Sequence, residues 1–292
     1  MSGLLGLGAC QMEVAPENIE KNLESMKKQI ELIKFYSPWV KLVVTPELCF
    51  HSAAGFEKKA MAIPNRITDF CSAVAREQNI FLVPGSIYEK WEGHVYNASP
   101  VFDDKGNILS VYRKMYPWRP HEKTTSGKHT LTFDIPEIGR IGVCNCYDLW
   151  FPELIRDLVF KGARIILVPT STGTADRSQE IILARAAAIQ NQCFIVSVNA
   201  AGCSGNGESL IVDPDGNIVQ KAGTKKENLI AMLDLSAVQR SRDYGVAGVT
   251  RPLASFFHEK HRFDYQTQSF EKSPIYHQNL LNRQTNFNGE KK

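Results

Sequence analysis

Three polar side chains stand where apolar strands end: Glu47 in VVTPELCF, Lys114 in VYRKMYPW and Cys146 in VCNCYD. Their types form a working set. A free thiol is only a few per cent ionised near neutral pH, so a nucleophilic Cys146 needs a base, and Glu47 would serve. A thiolate beside a carboxylate calls for a cation, which Lys114 would supply, and the same ammonium would stabilise the oxyanion of a tetrahedral intermediate. Strand ends are where α/β proteins gather catalytic groups. Singly, each has a plainer reading: Glu47 as a turn or helix cap, Lys114 as a solvated charge, Cys146 as a buried cysteine.

The stretch around the cysteine, RIGVCNCYDLWFPELIR at 140–156, shows how it would be positioned. The apolar run before Cys146 reads as a buried strand. Pro152 and Glu153 then open a helix, since proline suits the first helical position and an acid suits the first turn. A cysteine at such a junction is held rigidly while its sulfur stays reachable, and the Tyr147 N–H can point at the same space. Competing readings are weaker. His121 and His94 would be the partners of a Cys-His hydrolase, but neither sits at a strand end as clean as that of Glu47. Cys144 and Cys146 share one strand face, yet structural zinc sites use a longer gap and a second ligand pair. No metal is therefore expected, and Cys10, Cys49, Cys71, Cys144, Cys193 and Cys203 read as packing. No G-x-G-x-x-G leads a helix and no P-loop is present, so no cofactor is expected either. Glu153 and Arg156 read as a local ion pair on one helix face.

The elements that must hold these groups follow from hydrophobic period. Residues 18–34 carry a helical stripe through Ile19, Leu23, Met26, Ile30 and Ile33, and 40–45 follow as a strand. A helix at 67–78 and a strand at 80–83 come next, then alternating strands at 95–102 and 108–114 joined by a turn. After Cys146 the pattern is helix 152–161, strand 164–168, helix 178–191 and strand 193–198. A second hairpin pairs 208–212 with 218–221, and 229–233 adds a strand. The hairpin turns read DDKGNI and DPDGNI, each after a strand–helix–strand passage. This points to two similar halves: two mixed sheets packed face to face with helices outside. Residues 1–255 read as one domain; from Phe256 the chain turns irregular, and 256–292 reads as a tail, exposed or laid on a partner subunit.

Composition narrows the class. The 292 residues are 43% hydrophobic and 22% charged, with 34 basic against 31 acidic side chains, a globular balance without a basic run for nucleic acid. The first residues, MSGLLGLGACQMEV, lack the basic region of a signal peptide, and no apolar run approaches the roughly 20 residues of a membrane span. Seven cysteines without a framework spacing fit free thiols in a reducing cytosol, so a cytoplasmic protein is expected.

The three segments together resemble the Glu-Lys-Cys motifs of the nitrilase superfamily of carbon–nitrogen hydrolases. GVCNCYDLWFPELIRDLVFKGARIILVPT is similar to that family's nucleophile block, and the likeness continues through LARAAAIQNQCFIVSVNAAG and GESLIVDPDGNIV, covering about residues 6–235. The resemblance implies a four-layer α-β-β-α sandwich assembled into homodimers or larger homo-oligomers. It implies Cys146 as nucleophile, Glu47 as general base, Lys114 as the third triad member and Glu122 as the second glutamate on the lysine loop. YRKMYPWRPHE resembles the aliphatic amidase and formamidase branch, although Thr125 and Ser126-Gly127 stand where that branch has Trp and Pro-Gly. Cys146-Tyr147-Asp148 resembles amidase-type members, where true nitrilases read Cys-Trp-Glu. Trp118, Tyr147, Trp150, Thr170 and Ser171 would contact substrate; Arg185 and Asn199 read as scaffold. Carbamoyl hydrolases place a polar or basic residue near Trp150, so tryptophan there favours a small uncharged amide. The expected activity is hydrolysis of such an amide to acid and ammonia through a cysteine thioester. An ω-amidase or N-carbamoyl hydrolase is the alternative, and a non-catalytic binding protein or acyltransferase on the same fold the second.

Overall fold

The computed structural model describes residues 3–51 and 56–267. β1 (Leu4–Gln11), α1 (Ile19–Tyr36) and β2 (Leu42–Val44) open the first half. A short α2 (Phe56–Lys59) and α3 (Arg66–Gln78) lead to β3 (Phe81–Val83). The antiparallel β4 (Ile87–Trp91), β5 (His94–Phe102) and β6 (Ile108–Arg113) complete it. The second half runs β7 (Leu131–Ile135), β8 (Gly139–Val143), a 3₁₀ turn (Cys146–Trp150), α4 (Pro152–Phe160), β9 (Ile165–Thr170), α5 (Arg177–Asn191) and β10 (Phe194–Asn199). The hairpin β11 (Leu210–Val212) and β12 (Ile218–Lys221) follows. β13 (Glu227–Asp234) then returns to the first sheet before α6 (Ser236–Tyr244), α7 (Pro252–Glu259) and α8 (Asp264–Thr267).

Strand order is β13-β1-β2-β3-β5-β4 in the first sheet, with β6 also on β5, and β12-β11-β10-β9-β8-β7 in the second. The halves share one frame, to which the first adds α2 and β4. Three parallel strands, β1-β2-β3 or β8-β9-β10, carry an antiparallel strand on one side (β13 or β7) and an antiparallel hairpin on the other. The hairpin turns match in detail. Asp103 Oδ1 accepts from the N–H groups of Lys105 (2.9 Å) and Asn107 (2.7 Å), and Asp213 Oδ1 accepts from Asp215 and Asn217, both at 2.9 Å. Gly106 and Gly216 both sit at φ +84, a left-handed conformation that favours glycine.

Alternation assigns the layers. Leu5, Leu7 and Ala9 of β1, with Leu42 and Val44 of β2, pack in one core with Ile141, Ile165 and Ile195 of the second sheet. Cys10 and Val43 face the other way, against Met26, Ile30 and Ile33 of α1 and Cys71 and Val74 of α3. The result is the expected α-β-β-α sandwich. Helix starts obey local chemistry: Asn18 Oδ1 caps α1 through Lys21 N at 3.0 Å, and Asn65 with Thr68 forms a reciprocal capping box on α3.

Several expectations shift. β4 and β7 are strands beyond those expected: β4, IYEKW, lacks a clean alternation and ends in the exposed Lys90 and Trp91, and β7, LTFDI, alternates over only five residues at a sheet edge. The helix α7 crosses the expected boundary at 255; Pro252 opens it and Leu253 joins the main core, so order continues past Phe256. The remainder of the expected tail, 268–292, lies outside the described residues. Glu153 and Arg156 do not pair; the Arg156 guanidinium lies 5.0 Å from the Phe256 ring centroid instead.

One turn fixes the segment that carries Glu47. Gly85 has φ +65, and a Cβ there would fall 1.7 Å from the Pro46 carbonyl oxygen. Beside it, Ser86 Oγ accepts from Leu48 N at 3.1 Å. Gly85→Ala is expected to lower stability by about 3 kcal/mol, the sum of a left-handed alanine and the clash. Gly93→Ala, also at positive φ (+78) but with open space around the new Cβ, should cost only about 1 kcal/mol. Urea denaturation of both variants compares the two.

Candidate active site

The three strand-end side chains reach one cavity of about 160 Å³. Glu47 follows β2, Lys114 follows β6, and Cys146 follows β8 at the head of the 3₁₀ turn. Cys146 has φ +49, a left-handed conformation rare for a residue with a Cβ, and the turn around it holds that strain. Asp148 ties the turn down: its carboxylate accepts from Tyr112 OH (2.6 Å), Asn145 N (2.9 Å) and Tyr116 N (2.8 Å).

Lys114 is 2% exposed, and its Nζ donates to Glu47 Oε1 and Glu122 Oε2, each at 2.8 Å. Asn97 Nδ2 bridges the same two carboxylates, 2.8 Å from Glu47 Oε1 and 2.8 Å from Glu122 Oε1. Glu122 is saturated, because Trp118 N (2.9 Å) and Thr124 Oγ1 (3.1 Å) also donate to it. Glu47 is not: both of its donors converge on Oε1 and leave Oε2 without a partner among the described residues. Burial pushes the Glu47 carboxyl above the usual range, with Lys114 opposing and Glu122 adding to the rise. Burial also acts to raise Glu122, but Lys114 and the hydrogen bonds outweigh it and hold that carboxyl below its ordinary value. For Lys114, burial favours the neutral amine, yet the two carboxylates more than offset it and keep the ammonium. Two carboxylates pushed apart in this way can divide their roles, one holding a charge and the other moving a proton.

Of the remaining residues singled out above, Trp118, Tyr147 and Ser171 line the cavity. Thr170 and Trp150 do not. Thr170 is the last residue of β9 and turns its hydroxyl onto the Val168 carbonyl at 3.1 Å. Trp150 ends the 3₁₀ turn, where its ring lies 5.9 Å from that of Tyr147, outside the lining. The preference for uncharged amides drawn from Trp150 therefore loses its basis. His121 lines the cavity with its ring 4.6 Å from that of Trp118, whereas His94 lies away from it at the start of β5. Among the described residues no group of three His, Cys, Asp or Glu side chains is placed to hold a metal ion.

Sequence reasoning missed Asn97, Thr172 and Glu180, all of which line the cavity. Asn97 sits in a strand buried on both faces, so alternation carries no sign of it. Glu180, three residues after Arg177 on α5, reads as half of a solvated ion pair, yet both are buried.

Glu122→Gln tests the lysine cradle. An amide cannot accept from all four donors, so at neutral pH the variant should lose about 1–3 kcal/mol of stability. Because the folded carboxyl sits below the ordinary 4.5, its contribution is present above that pH and fades as pH falls through the folded value. Denaturation curves of parent and variant should therefore converge on acidification.

Residues 6–243 match the family model described as carbon-nitrogen hydrolase. Among curated proteins, omega-amidase NIT2-A from Xenopus laevis is 32% identical over 222 residues, covering 70% of this chain and 80% of that protein. The human omega-amidase NIT2 is 30% identical over 69% of this chain and 79% of its own length. Among solved structures, Nit3 of Saccharomyces cerevisiae, described as a member of branch 10 of the nitrilase superfamily, superposes with a TM-score of 0.77 at 29% identity, covering 85% of this chain and 96% of that one. The carbon-nitrogen hydrolase of Helicobacter pylori G27 gives 0.78 at 26% identity, over 90% and 97%. With the family model spanning most of the chain and the sandwich shared, this protein belongs to the carbon-nitrogen hydrolases of the nitrilase superfamily.

Proposed function

We propose that the protein is an ω-amidase: it hydrolyses the terminal amide of a short substrate whose other end carries a carboxylate. The observation that carries this reading is a thiol, a carboxyl with one oxygen unpartnered among the described residues and a buried ammonium in one small cavity, with Lys123 and His121 in the same lining. The volume of about 160 Å³ lies below the ~300–1,000 Å³ of drug-sized pockets and suits a short substrate. Lys123 offers a cation to a carboxylate, and Trp150 no longer argues for an uncharged one. The omega-amidase relatives support the same choice.

In this mechanism Glu47 Oε2 takes the thiol proton as Cys146 Sγ bonds to the amide carbon. The oxyanion meets the Lys114 ammonium and the Tyr147 N–H. When the tetrahedral intermediate collapses, the carbon–nitrogen bond breaks, Glu47 passes its proton to the nitrogen and ammonia leaves a thioester. Water then gives a proton to Glu47 and attacks the thioester. As the carbon–sulfur bond breaks, the sulfur recovers that proton from Glu47 and the acid departs. Glu122 and Asn97 hold Lys114 and Glu47 in place and give up no proton.

The test is ammonia release from a graded panel: ω-amides of dicarboxylic acids, N-carbamoyl amino acids, and the neutral formamide, acetamide and propionamide. Carboxylate-bearing ω-amides should be cleaved best, and Cys146→Ala should abolish the release. Glu47→Gln is expected to cost about 10²–10⁴ in kcat. Lys123→Ala should raise KM for carboxylate-bearing amides and leave neutral ones unchanged. Release from neutral amides alone would overturn the ω-amidase reading while keeping the hydrolase.

A further inference from the structure

The α5 wall of the cavity carries a group that the hydrolytic steps leave unused. Glu180 is 3% exposed; its Oε2 accepts from Arg177 Nη1 at 3.0 Å and its Oε1 from the Thr172 hydroxyl at 2.9 Å. Arg177 is anchored in turn by the carbonyls of Gly207 (3.2 Å) and Glu208 (2.8 Å). Cys146 Sγ lies 3.6 Å from Thr172 Oγ1 and 3.9 Å from Glu180 Oε1.

Hydrogen-bond polarity runs one way through this group. Arg177 only donates, and an ionised Glu180 only accepts, so the single Thr172 proton is committed to Glu180. What Thr172 turns toward the sulfur is a lone pair. The Thr172 and Glu180 side chains thus offer the sulfur only acceptors and favour a protonated thiol, against the neighbouring Ser171 N–H, a donor that favours the thiolate. From the other elements the sulfur faces Glu47 and Lys114, the latter already shared between two carboxylates, while Asp148 lies in its own turn with three donors. Burial is the largest influence pushing the thiol upward; Glu47 and Glu180 add to it, and Lys114 and the Ser171 N–H oppose it.

We propose that Glu180, anchored by Arg177 and acting through Thr172, is a positioning residue that holds Cys146 as a protonated thiol against the α5 wall until substrate fills the cavity. This rests on Cys146 being the nucleophile and not on which amide is cleaved. The resting cysteine is thereby shielded from adventitious electrophiles. Its proton passes to Glu47 Oε2 only as the sulfur bonds to the substrate carbon.

The experiment is alkylation by iodoacetamide, followed at Cys146 by peptide mass from neutral to alkaline pH, so it reads out whether or not any amide in the panel is cleaved. In Glu180→Gln the side-chain oxygen must face Arg177, so its NH₂ faces Thr172 and the hydroxyl proton turns to the sulfur. A negative neighbour is lost and a donor gained, and the alkylation profile should move to lower pH by about one unit or more. Thr172→Val removes the hydroxyl and leaves the carboxylate bare, so its profile should move to higher pH, and Thr172→Ser should restore the parent profile. A group that merely supports the fold would lower the melting temperature and leave these profiles alone. Parent-like profiles in Glu180→Gln and Thr172→Val overturn the proposal, and if Glu180→Gln does not fold, a parent-like Thr172→Val overturns it alone.

Discussion

A lysine ammonium 2% exposed to solvent is the constraint on which the site depends. Taking such a charge out of water costs several kcal/mol unless it is paired and hydrogen-bonded. One carboxylate would balance the charge; this fold supplies two, Glu47 and Glu122, with Asn97 bridging them. Two carboxylates on one ammonium leave an excess negative charge in a dry place. The excess raises proton affinity most where hydrogen bonding is poorest, at Glu47, whose second oxygen accepts from no donor among the described residues and is left ready to take a proton. The base thus arises because the site holds one acid more than the lysine needs. Glu122, with four donors, stays ionised and keeps the lysine charged.

The two-fold built into the chain explains how groups so far apart in sequence meet. β2 and β3 are parallel, β5 reverses on β3, and β6 reverses again on β5, so β6 points the same way as β2. Glu47 and Lys114 therefore leave the first sheet at the same end of its strands. The parallel β8 and β9 deliver Cys146 and Thr172 to the same place from the second sheet. The acid–base pair and the nucleophile belong to different halves, and the site exists only where the sheets pack face to face.

How much of this could be read beforehand depended on where each residue sits. Glu47, Lys114 and Cys146 interrupt apolar runs at strand ends, so their polarity stands out and spacing brings them together. The hairpin turns were readable because Asp, Gly and Asn there perform fixed backbone tasks, performed twice. Asn97 was not readable: its strand is buried on both faces, and a buried polar residue declares itself only through its partners. Thr172 lies in a loop whose path no local pattern dictates. Trp150 misled for a related reason. Its distance from Cys146 in sequence is short, but the 3₁₀ turn carries its ring alongside Tyr147 and out of the cavity lining. The helix α7 carried a signal that the polar composition after it obscured: a proline start, then Leu253, Phe256 and Phe257 at helical spacing.

The pseudo-symmetry also bears on the cysteine. Glu47 follows β2, and Thr172 follows β9, the strand that matches β2 in the second half. The fold thus brings equivalent loops to the cavity that holds Cys146, one ending in a carboxyl and the other in a hydroxyl that answers to the carboxylate of Glu180. The loops differ in what stands behind them. Behind Glu47 lies Lys114, a cation that lets the carboxyl give and take a proton. Behind Thr172 lies a closed Glu180–Arg177 pair, its charge already balanced and its donors already spent. A symmetric frame is thereby made asymmetric by one buried ion pair, and a thiol between the two sides has one direction in which its proton can be lost.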